Sequence, residues 1–455
     1  MRNRVRTKGI FFLLFLVILF SSACSMGLKK DYAALADQDR ERIQRWSVLD
    51  EGEQAAILGD LINSPELEAL VDEALAANPD LQQTLLTLRI RQVQYRKTFG
   101  DRLPEIKGGY TAGKEEDTDP SYTGSLSIGW EVDLWRKLAD ESRAAGKDAA
   151  QQQALYQSAR DTLGAEVMKA WLELIATQKN IAIEKKRLDV LEKNEAFILG
   201  RYKNGLGTLE DLDSARTRTA SSRAGLEEYR ENLARQRRAL NSLLGREAGP
   251  ALTLPADYPA VVPPLVSLPA QTLKRRPDLK AAYLTIEAES LRASAAYKAL
   301  LPSIDLEAAL EDVADTPGAA LLTDPVWSLL SGLTAPLYQG GKLRAAAEIS
   351  GLETAKAYQA YRETLLDAVN EVEDAVGRER ALKKRVRHIN TALTSARSNR
   401  LQYREKYRAG LAGMLDLLDV QEQTYDLELQ LNNLIHERLV NRIDLGLALG
   451  LGVKQ

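Results

Sequence analysis

Two kinds of hydrophobic spacing alternate along this chain of 455 residues. The first has a period of two and marks short strands. In one segment the even positions are Tyr122, Gly124, Leu126, Ile128, Trp130, Val132 and Leu134, and the odd ones are Thr123, Ser125, Ser127, Gly129, Glu131 and Asp133. Residues 304–310 repeat this alternation, and residues 106–110 and 327–333 begin two further strands. The pattern suits a transmembrane strand between lipid and water, or a half-buried sheet in a soluble α+β domain.

The second spacing is typical of coiled coils and marks long helices. Apolar residues fall seven apart in the first half, at Leu174, Ile181 and Leu188 and again at Leu191 and Ile198. The second half alternates steps of four and three, at Leu382, Val386, Ile389, Leu393 and Ala396. Proline is absent from residues 121–249 and 337–455. A continuous helix over residues 139–202 would be ~95 Å long, which suits a structure that bridges a wide compartment.

The chain is also internally duplicated. Asn78–Leu81 matches Arg276–Leu279 at an offset of 198 residues, and Tyr202–Leu206 matches Tyr407–Leu411 at an offset of 205. Each copy holds two strand-like segments followed by a long helical hairpin. Seven of the fifteen prolines crowd between Pro250 and Pro277, which indicates a linker between the copies.

These observations predict the following organisation. The first repeat is 64–249, with strands at about 104–134 and a helical hairpin at about 138–245. A proline-rich linker at 250–272 leads to the second repeat, 273–450, with strands at about 302–336 and a hairpin at about 342–448. Residues 451–455 form a C-terminal tail.

The N-terminus reads as an export signal. A basic start is followed by an apolar run at 10–20, which is shorter than the ~20 residues that a bilayer crossing needs. Cys24, the only cysteine, follows small residues as in the lipobox of bacterial lipoproteins, although Ser21 stands where that pattern favours Leu. We therefore predict a signal peptide at 1–23, a lipid on Cys24 and a lipid-anchored segment at 24–63. An incidental cysteine in a plain signal peptide is the alternative.

Composition argues against several classes of function. The formal charge is −3, and removal of the signal peptide takes it to about −7, which disfavours nucleic-acid binding. His388 and His436 are far apart in sequence and lack partners at metal-ligand spacing, so no metal or other cofactor is expected. Gly340-Gly341-Lys342 lacks the spacing of a phosphate-binding loop. We expect no enzyme activity.

Four strands cannot close a barrel, and open sheet edges are not tolerated in lipid. The long helices likewise carry apolar seams without a globular core to wrap. The chain is therefore expected to associate with other copies, although the residues alone do not give their number.

Several motifs point to a known family: Ala74–Leu81, Leu273–Leu279, Leu333–Tyr338 with Gly340-Gly341, and a Tyr-x-x-Gly motif at each hairpin tip. With these in order over roughly residues 64–450, the chain resembles the TolC-like outer membrane factors, in the lipoprotein branch typified by OprM and NodT. The resemblance implies a mainly α protein with membrane β-strands, located in the outer membrane of a Gram-negative bacterium. It implies a homotrimer, with a twelve-stranded β-barrel that continues into an α-helical barrel across the periplasm.

The resemblance also assigns roles at the second hairpin tip. Leu415 and Asp419 lie four residues apart and share a helix face. The corresponding residues of OprM-type proteins project into the closed end of the tunnel, so both become gate candidates, with Asp416 as a third. A ring of leucines would exclude water, and a ring of aspartates would repel anions. Alternatively, Leu415 is a coiled-coil core residue and Asp419 a solvated charge.

Both tips become candidates for docking of a periplasmic adaptor, because that is their role in the family. The docking candidates are Gly205, Leu206, Gly207, Thr208, Gly410, Leu411 and Gly413. These glycines would also serve as helix ends. Arg201, Tyr202, Tyr407 and Arg408 are candidates for latches that hold the closed state.

The resulting hypothesis is a passive exit duct for small molecules, such as drugs, toxic compounds or metals. Its expected partners are a periplasmic adaptor, an inner-membrane pump of the resistance-nodulation-division type and outer-membrane lipid. One alternative is the outer-membrane duct of type I protein secretion. Another is a lipid-anchored periplasmic coiled-coil adaptor or scaffold, which would lack barrel strands.

Overall fold

A computed structural model describes residues 30–44, 46, 55–117, 119–247, 253–264 and 269–454. In chain order these ranges form helix α1 (Tyr32–Glu41), a 3₁₀ turn (Leu58–Leu61), α2 (Pro65–Ala77), α3 (Pro79–Gly100), β1 (Glu105–Gly113), β2 (Ser121–Glu131), α4 (Lys137–Lys203), α5 (Leu209–Leu243), α6 (Pro269–Arg275), α7 (Pro277–Lys298), β3 (Ser303–Ala314), β4 (Val326–Thr334), α8 (Lys342–Arg408) and α9 (Met414–Ala448). The predicted signal peptide at 1–23 and Cys24 lie outside the described residues.

The duplication is visible in the lengths of the helices. Helices α3 and α7 have 22 residues each, α4 and α8 have 67, and α5 and α9 have 35. The long helices predicted from the seven-residue spacing are therefore confirmed, and each half of the chain builds the same elements. None of the helices in the described part of the chain has an apolar stretch long enough to cross a membrane.

The chain divides into two compact units that do not coincide with the repeats. Among the described residues, the first unit contains those up to Arg42 together with Leu86–Ala154 and Asp278–Thr364. The second unit contains the described residues of Ile43–Leu85, of Leu155–Pro277 and from Leu365 onward. Each unit therefore takes residues from both copies, so a single repeat is not the unit of packing.

The four predicted strands are confirmed, and they form one antiparallel sheet in the first unit with the order β1-β2-β3-β4. The repeats join at its centre, where β2 pairs with β3. Leu126 lies opposite Leu310, and Trp130 lies opposite Leu306. Strands β1 and β4 are the edges, so their outer backbone groups face away from the sheet of this chain.

The register separates the two faces of the sheet by polarity. One face, called here the apolar face, carries Ile106, Tyr110, Leu126, Ile128, Trp130, Leu306, Leu310, Trp327, Leu329 and Leu333. Many of these side chains are exposed, with Trp327 at 74%. The opposite face is mainly polar and carries Ser125, Ser127, Glu307 and Glu311, with Val326 and Leu330 as its apolar members on β4. Exposed apolar residues on one side of a sheet, with polar residues on the other, suit a strand between lipid and water.

Helix α1 is held in the first unit by tyrosines. The Tyr283 hydroxyl of α7 donates to Asp37 over 3.1 Å, and the Tyr358 hydroxyl of α8 donates to Asp39 over 2.6 Å. The Tyr358 ring also packs against that of Tyr32, with 5.4 Å between the centroids. These contacts attach residues that come shortly after Cys24 in sequence to two helices of the second repeat.

The core of the second unit also contains the C-terminus. Its largest buried side chain is Trp171, and Leu451 and Val453 belong to the same apolar cluster. The Val453 amide donates to the Asp161 carboxylate over 3.0 Å, and the amide of Leu58 donates to the Gly452 carbonyl over 2.9 Å. Residues 451–453 are therefore packed, although their sequence suggested only a tail.

Asp161 makes this C-terminal attachment dependent on pH. Burial raises the pKa of its carboxyl above the ordinary value, and the hydrogen bond from Val453 offsets this only in part. A raised pKa in the folded state means that stability falls as the pH rises from the unfolded pKa through the folded one. Asp161→Asn is expected to raise the melting temperature at neutral pH, because the amide carries no charge to bury. The two melting curves should converge below pH ~3, and a difference that is independent of pH would contradict this role.

Candidate functional site

Both hairpin tips lie in the second unit and are short, tightly closed turns. The first spans Asn204–Thr208 between α4 and α5, and the second spans Ala409–Gly413 between α8 and α9. Gly205 and Gly410 occupy equivalent positions with φ of 70° and 71°, a left-handed conformation that glycine adopts without steric cost. The two tips thus share the same backbone conformation at this glycine.

The helices that follow the two tips, α5 and α9, have different caps at their first turns. At the first, Thr208 caps α5: the Asp211 amide donates to the Thr208 hydroxyl over 3.1 Å, and Asp211 accepts in return from the Thr208 amide. At the second, Gly413 has no side chain, and its amide donates to Asp416 over 2.9 Å. The structure therefore places Asp416, a predicted gate residue, against the turn of its own helix.

This contact predicts a local role for Asp416. Asp416→Ala removes the acceptor for the Gly413 amide, at a cost of about 1 kcal/mol to the first turn of α9. We expect faster hydrogen exchange of amides in that turn, measured by mass spectrometry. Asp416→Asn keeps an acceptor oxygen and serves as the matched control. Unchanged exchange in Asp416→Ala would argue against the capping role.

Leu415 and the neighbouring apolar residues form a small core just behind the tips. The buried members are Leu191, Ile198, Leu212, Ala215 and Leu418, and Leu199, Met414 and Leu415 pack against them. Leu415 is half-buried, so part of its side chain remains available outside the core. This cluster joins α4, α5 and α9 and holds the two hairpins together near their tips.

Asp419 takes part in an ion-pair cluster between the hairpins. Its carboxylate lies 2.8 Å from the guanidinium of Arg218 on α5, and the same guanidinium donates to Glu422. Arg218 is half-buried, whereas Asp419 is exposed. One arginine thus bridges two acidic residues that lie one helical turn apart on α9. Charge-assisted bonds of this kind are stronger than neutral ones, so they hold α5 beside α9 at this point.

Further polar contacts join the hairpins along the same seam. Arg187 pairs with Asp426, Asn194 donates to Gln421 over 3.1 Å, and Asn180 donates to Asn433 over 2.9 Å. A groove of about 790 Å³ lies beside Arg187 and Arg218, between α4, α5 and α9. Burial raises the pKa of Tyr229 in this groove, so its hydroxyl remains protonated at neutral pH.

The four predicted latch residues are not brought together within the chain. Arg201 donates to the Leu206 carbonyl of its own turn over 2.8 Å, and Arg408 pairs with Glu405 of its own helix. Tyr202 is exposed. Tyr407 alone reaches the other hairpin, with its ring centroid 6.4 Å from that of Phe197 in an edge-on arrangement.

Sequence reasoning missed Phe197, Arg218 and Glu422. Arg218 and Glu422 are 204 residues apart, and neither stands out from the many charged residues on these helices. Phe197 lies close to Ile198 in sequence, and its ring is exposed apart from the contact with Tyr407. Their roles depend on how the hairpins pack.

The docking candidates lie at the surface of the tips. Gly207 is half-buried, and the exposed members are Gly205, Leu206, Thr208, Gly410, Leu411 and Gly413. Leu206 and Leu411 are 66% and 78% exposed, so each tip presents one large apolar side chain at its turn. Within the described residues, no three acidic, histidine or cysteine side chains are grouped to hold a metal ion.

Comparison with known proteins decides the family. A profile described as outer membrane efflux protein matches residues 70–246 and 268–451, which together make up most of the chain. The chain belongs to the outer membrane efflux protein family. The match begins near the start of the predicted first repeat and ends beside Gly450, so it covers both hairpins and the sheet.

Individual members of the outer membrane efflux protein family are similar along nearly their whole length. The outer membrane protein OprJ of Pseudomonas aeruginosa is 27% identical, over 96% of this chain and 95% of its own. The cation efflux system protein CusC of Escherichia coli is 24% identical, over 86% and 87%. The crystal structure of a membrane protein from Pseudomonas aeruginosa superposes with a TM-score of 0.82 at 26% identity, covering 89% of this chain and 97% of that one. The predicted membership of the outer membrane efflux family, the mainly helical fold with a β component and the outer-membrane location are confirmed; the lipoprotein branch and the homotrimer stay predictions.

Proposed function

We propose that this protein is the outer-membrane duct of a tripartite efflux system and that it exports small molecules passively. The observation that carries the proposal is the combination of a four-stranded sheet with one exposed apolar face and two long helical hairpins that end in exposed tips. The sheet supplies a surface for lipid. The hairpins supply exposed tips at which a partner can bind.

Closure of the sheet requires other copies of the chain. Strands β1 and β4 leave unpaired edges, which lipid does not tolerate. We propose a homotrimer, in which β1 of one protomer pairs with β4 of the next and the three sheets form a twelve-stranded barrel. The polar face would then line the interior and the apolar face would meet lipid. A scaffold or adaptor would lack this sheet, so that alternative is set aside.

The proposed partners are a periplasmic adaptor at the hairpin tips and an inner-membrane pump of the resistance-nodulation-division type. Leu206 and Leu411 supply exposed apolar anchors at the tips. The lipobox-like Cys24 supports a lipid anchor and the small-molecule branch. CusC is named as a cation efflux protein, so metal ions stand beside drugs and toxic compounds as candidate substrates.

In-cell photocrosslinking would test this proposal. A photoreactive amino acid at Leu411 should capture the adaptor, and crosslinking of that complex should then recover the pump. The matched control is the same amino acid at Ile349, which is 60% exposed but lies in the first unit. Recovery of an ABC transporter instead would favour type I protein secretion. Equal capture of the adaptor from both positions would contradict docking at the tips.

A further inference from the structure

The loop between β3 and β4, residues 315–325, lies back against the sheet and is called here the strap. Side chains from two strands hold it. The Tyr110 hydroxyl donates to the Pro317 carbonyl over 3.2 Å, and Asp312 accepts from the Thr323 and Asp324 amides over 2.7 and 3.1 Å. The strap therefore has a conformation set by the sheet.

The strap covers the apolar face rather than the polar one. Tyr110, Gly124 and Asp312 are register partners across β1, β2 and β3, so they share a face with Leu126 and Leu310. Gly124 is the contact point: a Cβ at this position would overlap the carbonyl of Ala320. Ala320 itself is fully buried, although it belongs to a loop. The absence of a side chain at Gly124 is what lets the strap approach the sheet.

The outer side of the strap is apolar. Leu321 is 67% exposed, and Leu322 has φ of 59°, a left-handed conformation that costs a bulky residue of order 1–3 kcal/mol. Glycine or asparagine would adopt this conformation more easily. The exposed Leu321 and the half-buried, strained Leu322 lie on a loop that is seated on the exposed apolar face, so they extend one contiguous apolar patch. The exposed acidic residues Asp315 and Asp324 lie on either side.

We propose that Leu321 and Leu322 are immersed in the acyl chains of the membrane lipid, so that the strap is a lipid-contacting rim of the sheet. This inference rests on the proposed function, in which the apolar face meets lipid. A second copy of the chain would pair along the edges of β1 and β4, which leaves the face that carries the strap to lipid. Asp315 and Asp324 keep the immersion shallow, because charged groups remain at the water interface.

Spin labelling measures this immersion directly. Leu321→Cys is labelled with a nitroxide in protein reconstituted in phosphatidylcholine vesicles, and its collisions with oxygen and with a water-soluble nickel chelate are compared. Leu329→Cys lies on the apolar face and Ser328→Cys on the polar face, so they are the controls for lipid and for water. The unsubstituted chain, whose only cysteine is Cys24, reports any label bound elsewhere.

The possible outcomes distinguish a failure of the inference about the strap from a failure of the proposed function. The expected result is an oxygen-to-nickel ratio at Leu321 that is several-fold higher than at Ser328 and close to that at Leu329. If Leu329 is immersed and Leu321 behaves like Ser328, the inference is overturned while the membrane sheet stands. If Leu329 also collides freely with nickel, the proposed membrane role of the sheet fails as well.

A second substitution tests whether Gly124 seats the strap. Gly124→Ala, made in the Leu321→Cys background, should lift the strap and lower the oxygen-to-nickel ratio towards the value at Ser328. Gly108→Ala is the matched control, since a Cβ at Gly108 would have no neighbour within 4 Å. If Gly124→Ala does not assemble, Tyr110→Phe removes one strap contact and should lower the ratio part of the way. An unchanged ratio in the assembled variant would overturn the placement of the strap.

Discussion

Replacement of Arg218 with glutamine is expected to raise the open probability of the reconstituted channel, and with it the time-averaged conductance, about fivefold. Arg218 holds Asp419 and Glu422 on the other hairpin, and its loss leaves two carboxylates that repel each other. Partly exposed pairs contribute about 0.5–1 kcal/mol each. Two such pairs would shift the balance between closed and open tips by a factor of about 5 or more. Single-channel recording in planar bilayers measures the change.

A double-substitution cycle identifies the interaction as the cause. Asp419→Ala should also raise the conductance, and Arg218→Gln with Asp419→Ala should add less than the sum of the two effects, because both remove the same contact. Arg216→Gln is the matched control, since Arg216 pairs with Asp213 on its own helix. Unchanged conductance in Arg218→Gln would remove this cluster from the gate, and unchanged conductance in Asp419→Ala would remove Asp419.

Glu379→Ala is expected to lower the melting temperature by about 5 °C. Glu379 on α8 is 9% exposed and binds two arginines of α9, with 2.8 Å to Arg438 and 3.1 Å to Arg442. Arg442 also donates to the Val261 carbonyl. Removal of one partner from a buried ion-pair group costs about 3–5 kcal/mol, because the remaining charges lose their compensation.

Glu437→Ala is the matched control for this prediction. Glu437 lies on the same helix as the two arginines and pairs with Arg385 at 3.6 Å, but both side chains are more than half exposed. Loss of the pair between Glu437 and Arg385 should lower the free energy of unfolding by less than about 1 kcal/mol. Glu379→Gln keeps the shape of the side chain and should fall between the two alanine variants. Equal melting temperatures for Glu379→Ala and Glu437→Ala would contradict the role of burial.

One ion pair between α4 and α5 and one between α8 and α9 are related by the internal duplication. This relation was not used in the sequence analysis. Glu192 pairs with Arg223 at 2.7 Å in the first hairpin, and Arg397 pairs with Glu428 at 2.7 Å in the second. The two pairs occupy equivalent positions with the charges exchanged. At these positions, α4 would place an acidic residue against an acidic residue of α9, and α8 would place an arginine against an arginine of α5. This repulsion favours pairing of the helices within each hairpin.

The strands, the long helices and the duplication could be read from the chain because they depend on local periodicity. Leu126, Ile128 and Trp130 alternate with polar residues whatever their surroundings, and the structure confirms the strand they predict. The heptad spacing of the helices likewise needs no knowledge of their partners. The tips could be located for the same reason, since a turn between two helices favours glycines such as Gly205 and Gly410.

The tertiary structure decided the contacts that join distant parts of the chain. Asp419 became part of an ion-pair cluster only because the packing of the hairpins brought Arg218 beside it, and Leu321 acquired its position from Gly124, nearly two hundred residues earlier. Charged residues on long helices all present the same local pattern, so periodicity does not select which of them pair. That selection depends on helix register and on burial, which exist only once the whole chain has packed.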